Sequence, residues 1–211
     1  ERGYHVAICE QVGEQPAKGI FPREVTRVVT PGTLLEPSLL KGDRNNYLVS
    51  LYVTHECAGL AYADISTGEF AAAEWTGTDF FARIRAELAR LQPSEVIIPA
   101  DSPVADQITY HKTTQPPWRF ETGRAQETLK KQFQASTLDG FGLRGMNTAI
   151  QAAGALIQYL QDTQPAALQL LTSLHTYQLE SSMLLDVSTR RNLELTETIR
   201  GGSTEGSLLS I

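Results

Sequence analysis

Tyr47, Val49, Leu51 and Val53 alternate with other residues, the two-residue period of a strand that buries one face. A second run follows, Leu60-Ala-Tyr-Ala-Asp-Ile65, and Ser66-Thr67-Gly68 supplies a turn because glycine reaches positive φ without a Cβ penalty. Glu69 to Trp75 returns as a third strand, with Phe70 and Ala72 on one face and Ala71, Ala73 and Trp75 on the other. Short loops between alternating runs predict an antiparallel meander. The period then changes. Phe81, Ile84, Leu88 and Leu91 mark one face of a helix, capped by Thr78 and ended by Pro93. Glu95-Val-Ile-Ile98 is a short buried strand, so strand, helix and strand form a unit that adds a parallel strand to the sheet.

The flanks are less regular. Ahead of the meander, Tyr4–Cys9 and Arg23–Thr30 read as strands, separated by the polar stretch 10–19 and closed by Pro31-Gly32. Two strands bury no core alone, so they read as the tail of a domain. Residues 36–46, rich in Pro, Gly, Asp and Asn, read as a linker. After the parallel strand, Ile108–His111 predicts another short strand, Pro116-Pro117-Trp118 a stiff exit, and Thr122–Phe133 a polar amphipathic helix. Asp139–Leu143 is a glycine-rich joint. Asn147 to about Asp162 is a helix with the stripe Ile150, Ala153, Ile157 and Leu160, and Ala149, Ala152, Ala153 and Gly154 are small enough for close approach. Tyr177–Glu180 reads as extended. A helix capped by Asp186 or Ser188 runs to Ile199 and breaks at Gly201-Gly202, and Ser207–Ile211 begins another. The expected fold class is α/β: a mixed sheet with flanking helices, preceded by a partial β piece and followed by a partial all-α region.

Composition narrows the function classes. An apolar fraction of 41% against 20% charged is that of a globular chain, and no run of about 18 apolar residues exists to span a membrane. Cytoplasmic location is the default expectation. Both ends read as cut, so the chain is expected to be part of a longer protein. Cys9 and Cys57 are too few and too far apart for a zinc site or disulfide scaffold. The net charge of −6 is uneven: residues 1–44 balance six basic against six acidic side chains, while 45–135 hold eight against eleven and 136–211 four against seven. Nowhere is there the basic excess that non-specific phosphate binding needs. Arg23 and Arg27 share a strand face with Lys18 nearby, which reads as a phosphate contact or as a solvated face balanced by Glu24.

Asp64 is the sharpest catalytic candidate. An aspartate in the second strand of a meander, followed by a helix and a parallel strand, has the layout of ribonuclease-H-like nucleases, which use clustered carboxylates to hold two metal ions. The further carboxylates required would come from Glu69, Glu74 and Glu87, and Glu87 adjoins the core-facing Leu88. Asp64-Ile-Ser-Thr-Gly also reads as a strand ending in a polar turn, and that reading is preferred. His5, His55, His111 and His175 stand singly, with no i+4 or C-x-x-C partner, so no metal site is expected. Gly201–Ser207 lacks the Gly-Lys-Ser/Thr ending of a phosphate loop.

Longer blocks carry a resemblance. Gly3–Gln11, Ala17-Lys-Gly19 and Arg23–Thr33 resemble the end of the mismatch-binding domain of the bacterial MutS family. Gly59–Phe70 is similar to the core of that family's connector domain, and Leu138–Gly142 with Ala152–Leu156 resembles the connector's exit. Leu185–Thr196 is similar to the opening of its core, or lever, domain. The resemblance implies residues 1–35 as the end of the mismatch-binding domain, 36–46 as linker, 47–137 as a ribonuclease-H-like connector and 138–211 as helical transition and lever. It implies a whole protein that binds mismatched double-stranded DNA as a homodimer, binds ATP with Mg and recruits MutL. The mismatch wedge and the ATPase of that family lie outside this chain, so no catalysis and no cofactor are expected here. The helix face with Glu127, Lys130 and Lys131, and the Arg83, Glu87 and Arg90 side of the earlier helix, are partner-surface candidates. A metal-dependent nuclease centred on Asp64 and a purely structural spacer are the other two readings.

Overall fold

A computed structural model describes residues 4–11, 23–36, 40, 44–77, 79–177, 187–200, 202–203 and 205–210. Lys18, the Thr78 cap, Pro37, Gly42 and Asp43 of the linker, 178–180, Leu185, Asp186, Gly201 and Ile211 lie outside the described residues. The chain runs β1 (Val6–Gln11), β2 (Arg23–Val29), β3 (Leu48–Val53), β4 (Cys57–Asp64), β5 (Glu69–Thr76), α1 (Phe80–Leu91), β6 (Glu95–Pro99), β7 (Lys112–Gln115), α2 (Thr122–Gln132), α3 (Asn147–Thr163), β8 (His175–Thr176) and α4 (Val187–Asn192).

Among the described residues the strands form two sheets. β1 and β2 pair antiparallel by themselves, and the other six run in the order β7-β6-β3-β4-β5-β8. The meander β3-β4-β5 is antiparallel, while β6 joins β3, β7 joins β6 and β8 joins β5 in parallel. This is the mixed α/β sheet expected from the change of period. The alternation separated the two faces of β5 as expected, but β3 buries both of its faces and not one, because helices cover both sides of the sheet. Val49, Leu51, Val53, Ala71, Ala73 and Trp75 pack with Ile84, Leu88 and Leu91 of α1. Leu48, Phe70 and Ala72 pack on the other face with α2 and α3.

Three further expectations change. The strand expected at Ile108–His111 forms four residues later, at Lys112–Gln115; Ile108 is instead buried in the α1-side core, and the His111 carbonyl accepts the first ladder bond from Val96 N–H at 2.8 Å. The helix expected to run to Ile199 ends at Asn192, and Ile199 N–H is held by the Glu194 carboxylate at 2.7 Å. The third concerns α3. Its predicted stripe is buried, but so are Ala149, Ala152, Ala155, Leu156 and Tyr159 on its other sides. A helix buried all round is central to a core. α3 lies on β3, β4 and β5, against α2 and the turn Pro117–Phe120. The expected boundary at 137/138 therefore cuts one core in two, and the segment through α3 folds with the sheet.

Small residues bring α3 that close. A Cβ added at Gly59 would lie 2.0 Å from the Thr148 carbonyl carbon and oxygen, closer than any side chain permits. The Glu74 carboxylate, one strand away, accepts Thr148 N–H at 2.7 Å, its hydroxyl at 2.7 Å and Ala149 N–H at 3.3 Å. It thus neutralises free amides in the first turn of α3, where a negative charge is favoured by the helix dipole.

Candidate functional site

The β1–β2 hairpin ends at Thr30, and the chain turns through Pro31–Thr33 before reaching the six-stranded sheet. Thr33 closes this turn, its N–H donating to Thr30 O at 3.0 Å and its hydroxyl accepting from Thr30 N–H at 2.8 Å. The turn presents two donors to one carboxylate. Thr30 Oγ1 donates to Glu95 Oε2 at 2.5 Å and Gly32 N–H to the same oxygen at 2.9 Å. Gly32 leaves little room here: a Cβ would stand 2.7 Å from Leu48 Cδ1 and 3.0 Å from Glu95 Cβ, so those side chains would have to shift. Oε1 accepts from Thr113 Oγ1 of β7 at 2.6 Å and from Tyr159 Oη of α3 at 2.7 Å. Glu95 opens β6 and is fully buried. One carboxylate therefore binds the hairpin's exit, two strands of the sheet and the central helix. Burial and then the adjacent Glu95 charge push the Tyr159 phenol well above its ordinary pKa, which keeps it a donor.

Two histidines stand at this seam. His5 Nε2, just ahead of β1, lies 3.8 Å from Glu95 Oε1, and the His5 and His111 rings meet edge-on with centroids 6.0 Å apart. The expectation that both stand singly is thus overturned by tertiary packing; His55 and His175 are exposed elsewhere. His5, His111, Thr113 and Tyr159 line an open groove of about 500 Å³.

On the opposite face, α1 carries a second carboxylate hub. Glu87 is buried rather than on a free partner surface, which corrects its expected placement. It is drawn in by Arg90, whose Nε lies 3.1 and 3.0 Å from the two carboxylate oxygens, and by Tyr177 Oη, which donates at 2.7 Å. The Arg90 guanidinium sits over the Tyr62 and Tyr177 rings, 5.7 and 5.9 Å from their centroids. Tyr62 and Tyr47 in turn donate to Glu69 at 2.9 and 3.1 Å. Hydrogen bonding to Glu87 raises Arg90 further above its ordinary pKa, and burial raises Tyr62 and Tyr177.

The remaining candidates separate. Asp64 is fully buried, and it is consumed locally: Oδ1 accepts from Ser66 N–H at 2.9 Å and Ser66 Oγ at 2.6 Å, Oδ2 from Asn46 N–H at 3.1 Å. It caps the Ser66–Gly68 turn. With Glu69 bound to tyrosines, Glu74 capping α3 and Glu87 paired to Arg90, the carboxylates suspected of nuclease chemistry each hold a structural bond. Among the described residues the one grouping suited to a metal ion is His5, Glu95 and His111, which includes none of them. Arg23 is exposed, and Arg27 pairs with Glu36 at 3.1 Å rather than with Glu24. Glu127 and Lys131 are exposed on α2 and Lys130 is half-buried, while Ala125 and Leu129 face the core. Arg83 is half-buried on α1.

Comparison with known proteins accords with this architecture. The family model described as MutS domain II matches residues 46–172, which carries the sheet domain past α3, and that of MutS domain I matches residues 1–38. The DNA mismatch repair protein MutS of Alkaliphilus oremlandii is 42% identical over 100% of this chain and 25% of its own length. That of Thermosynechococcus vestitus is 42% identical over 99% of this chain and 26% of its own, and that of Dehalococcoides mccartyi 41% identical over 100% and 24%. The chain spans about a quarter of the length of these relatives. No helix among the described residues is long and apolar enough to cross a membrane. With domain II matched across more than half of its residues and domain I ahead of it, the chain belongs to the MutS family.

Proposed function

We propose that the chain serves DNA mismatch repair as a non-catalytic connector, carrying movement between a mismatch-binding domain and a helical lever. The observation that carries this reading is the Glu95 seam, where one buried carboxylate ties the exit of the hairpin to β6, β7 and α3. A bolt of that kind transmits displacement of the hairpin into the sheet instead of absorbing it in a loop. The meander with a parallel strand beside β3 supports a ribonuclease-H-like sheet, and the structural use of Asp64 argues against nuclease chemistry in it. In this reading residues 1–35 end the mismatch-binding domain, 36–46 link it to the connector, and the residues beyond about 172 lead into the lever.

The whole protein, by the same reading, is a cytoplasmic homodimer that binds mispaired or unpaired bases, couples this to ATP and Mg bound outside this chain, and engages MutL. Lys18, Arg23 and Arg27 are the candidate DNA contacts. On the partner side, α2 with Glu127, Lys130 and Lys131 is the stronger candidate, because on α1 Glu87 is buried and Arg90 is committed to it. The test is binding of the chain to purified MutL beside mismatched and matched duplexes at low salt. MutL binding with no mismatch preference is the expected result. A mismatch-selective complex that ignores MutL would overturn the connector reading and move recognition into residues 1–38.

A further inference from the structure

We propose that His5, His111 and Glu95 form a binding site for a divalent transition metal, Zn²⁺ by the chemistry of its ligands, that clips the start of β1 to the edge of the sheet. The proposal is independent of the connector reading, since it concerns what holds the seam and not what the seam transmits.

Three observations converge. One ring nitrogen of each histidine and one Glu95 oxygen all lie within 4.8 Å of one another. Ligand atoms around tetrahedral Zn²⁺, at bonds of about 2.0–2.1 Å, stand roughly 3.3 Å apart. The gap closes by movements of about 1 Å, within reach of small χ rotations; the His5 side chain is 41% exposed, and its Nε2 is held by a long 3.4 Å contact with Thr113 Oγ1 that such a rotation would exchange for the metal. Second, the charge balance of Glu95 is incomplete. Its four donors, Thr30, Gly32, Thr113 and Tyr159, are neutral groups, and its side chain is fully buried. Among the described residues the group in ion-pair range is His5, at 3.8 Å. A buried carboxylate wants a cation beside it. Third, His111 Nε2 is buried and has no hydrogen-bond partner among the described residues, so a nitrogen lone pair or N–H is left uncompensated on a ring that belongs to the grouping.

The surroundings suit a metal ion. Tyr159 and Thr113 donate to Glu95 Oε1, the oxygen nearest His5, and would fix its orientation as outer-shell donors do at metal carboxylates. Two imidazoles and one carboxylate match the borderline softness of Zn²⁺, and the open groove leaves the fourth position to water.

The experiment uses the tag-free chain, stripped with a chelator and titrated with ZnCl₂ alone by calorimetry, with melting temperature followed in parallel. One Zn²⁺ per chain is expected, with a rise in melting temperature that chelator reverses. His5→Gln and His111→Gln should each weaken binding at least tenfold while keeping the wild-type circular dichroism. His55→Gln, His175→Gln and Cys9→Ser should leave it unchanged. Tyr159→Phe should weaken it about tenfold through lost orientation. Absence of stoichiometric uptake, unchanged affinity in both His5→Gln and His111→Gln, or loss of binding in Cys9→Ser would each overturn the site.

Discussion

Glu95 and Glu87 are both buried carboxylates, and they lie on opposite faces of the same sheet, yet they are stabilised by different means. Glu87 has a fixed cation: Arg90 grips both oxygens, and its exposed edge reaches water. Glu95 accepts from two threonines, a tyrosine and a backbone amide, all neutral, and lies where three chain segments meet. The difference teaches what each face is for. The α1 face closes on itself within a local ion pair, and Tyr177 joins it from β8's end. The α3 face uses its carboxylate to bind a separate piece of chain through four neutral donors, so removing Glu95 strands more buried partners than removing Glu87.

The largest test of this contrast is removal of the two carboxylates. Glu95→Ala leaves Gly32 N–H and the Tyr159 hydroxyl buried without acceptors, at about 1–3 kcal/mol each, together with the freed threonines. A loss of at least about 3 kcal/mol is expected, read as a lower urea midpoint. Glu87→Ala should cost less, about 1–2 kcal/mol, because the Arg90 side chain is 45% exposed and can turn to solvent. Equal losses would mean that the Arg90 pair is as poorly solvated as Glu95 and would break the comparison.

How far the sequence led follows the same division. The faces of β5 and the stripe of α1 were legible because period-2 and period-3.6 burial are local properties, whereas the second buried face of β3 was not, because α3 covers it. The all-round burial of α3 was not, since its neighbours on two sides come from α2 and the Pro117–Phe120 turn. The Glu95–His111 proximity was half legible. Parallel pairing sets Val96 against Lys112, so the preceding residues, Glu95 and His111, become neighbours once the strand is placed four residues later than its apolar pattern suggested. His5 carried no signal, because its position depends on how a separate hairpin docks. Glu87 misled for a related reason: an acidic residue beside a helical stripe reads as exposed until Arg90 and a tyrosine 90 residues away supply partners.

Alkaline pH sharpens the comparison at smaller scale. The Tyr177 and Tyr159 phenols, one on each hub, are raised above their ordinary value of 10, first by burial and then by the adjoining carboxylate; Tyr62 is raised by burial and its bond to Glu69. The unfolded chain loses these protons first. The stability they contribute is therefore complete below pH 10 and declines as pH rises above it, by about 1.4 kcal/mol per pH unit for each fully shifted group. Tyr177→Phe should remove one such increment from the slope above pH 10, and Tyr159→Phe another. Urea midpoints measured across that range check both. A decline already under way below pH 9 would assign the loss to other groups.

The smallest effect is expected on α2. Lys131 is exposed and Lys130 half-buried, both in the last turn of a helix whose Ala125 and Leu129 face the core. Reversal to Glu at both sites places negative charge near the carbonyl end of the helix dipole, a penalty of a few tenths of a kcal/mol per site that salt screens. The urea midpoint should shift by no more than about 0.5–1 kcal/mol equivalent, far below either carboxylate. That insensitivity is what makes the pair useful. Lost MutL binding in Lys130→Glu/Lys131→Glu with the fold intact would assign the partner surface to α2. Unchanged binding would return those lysines to the role of a solvated face.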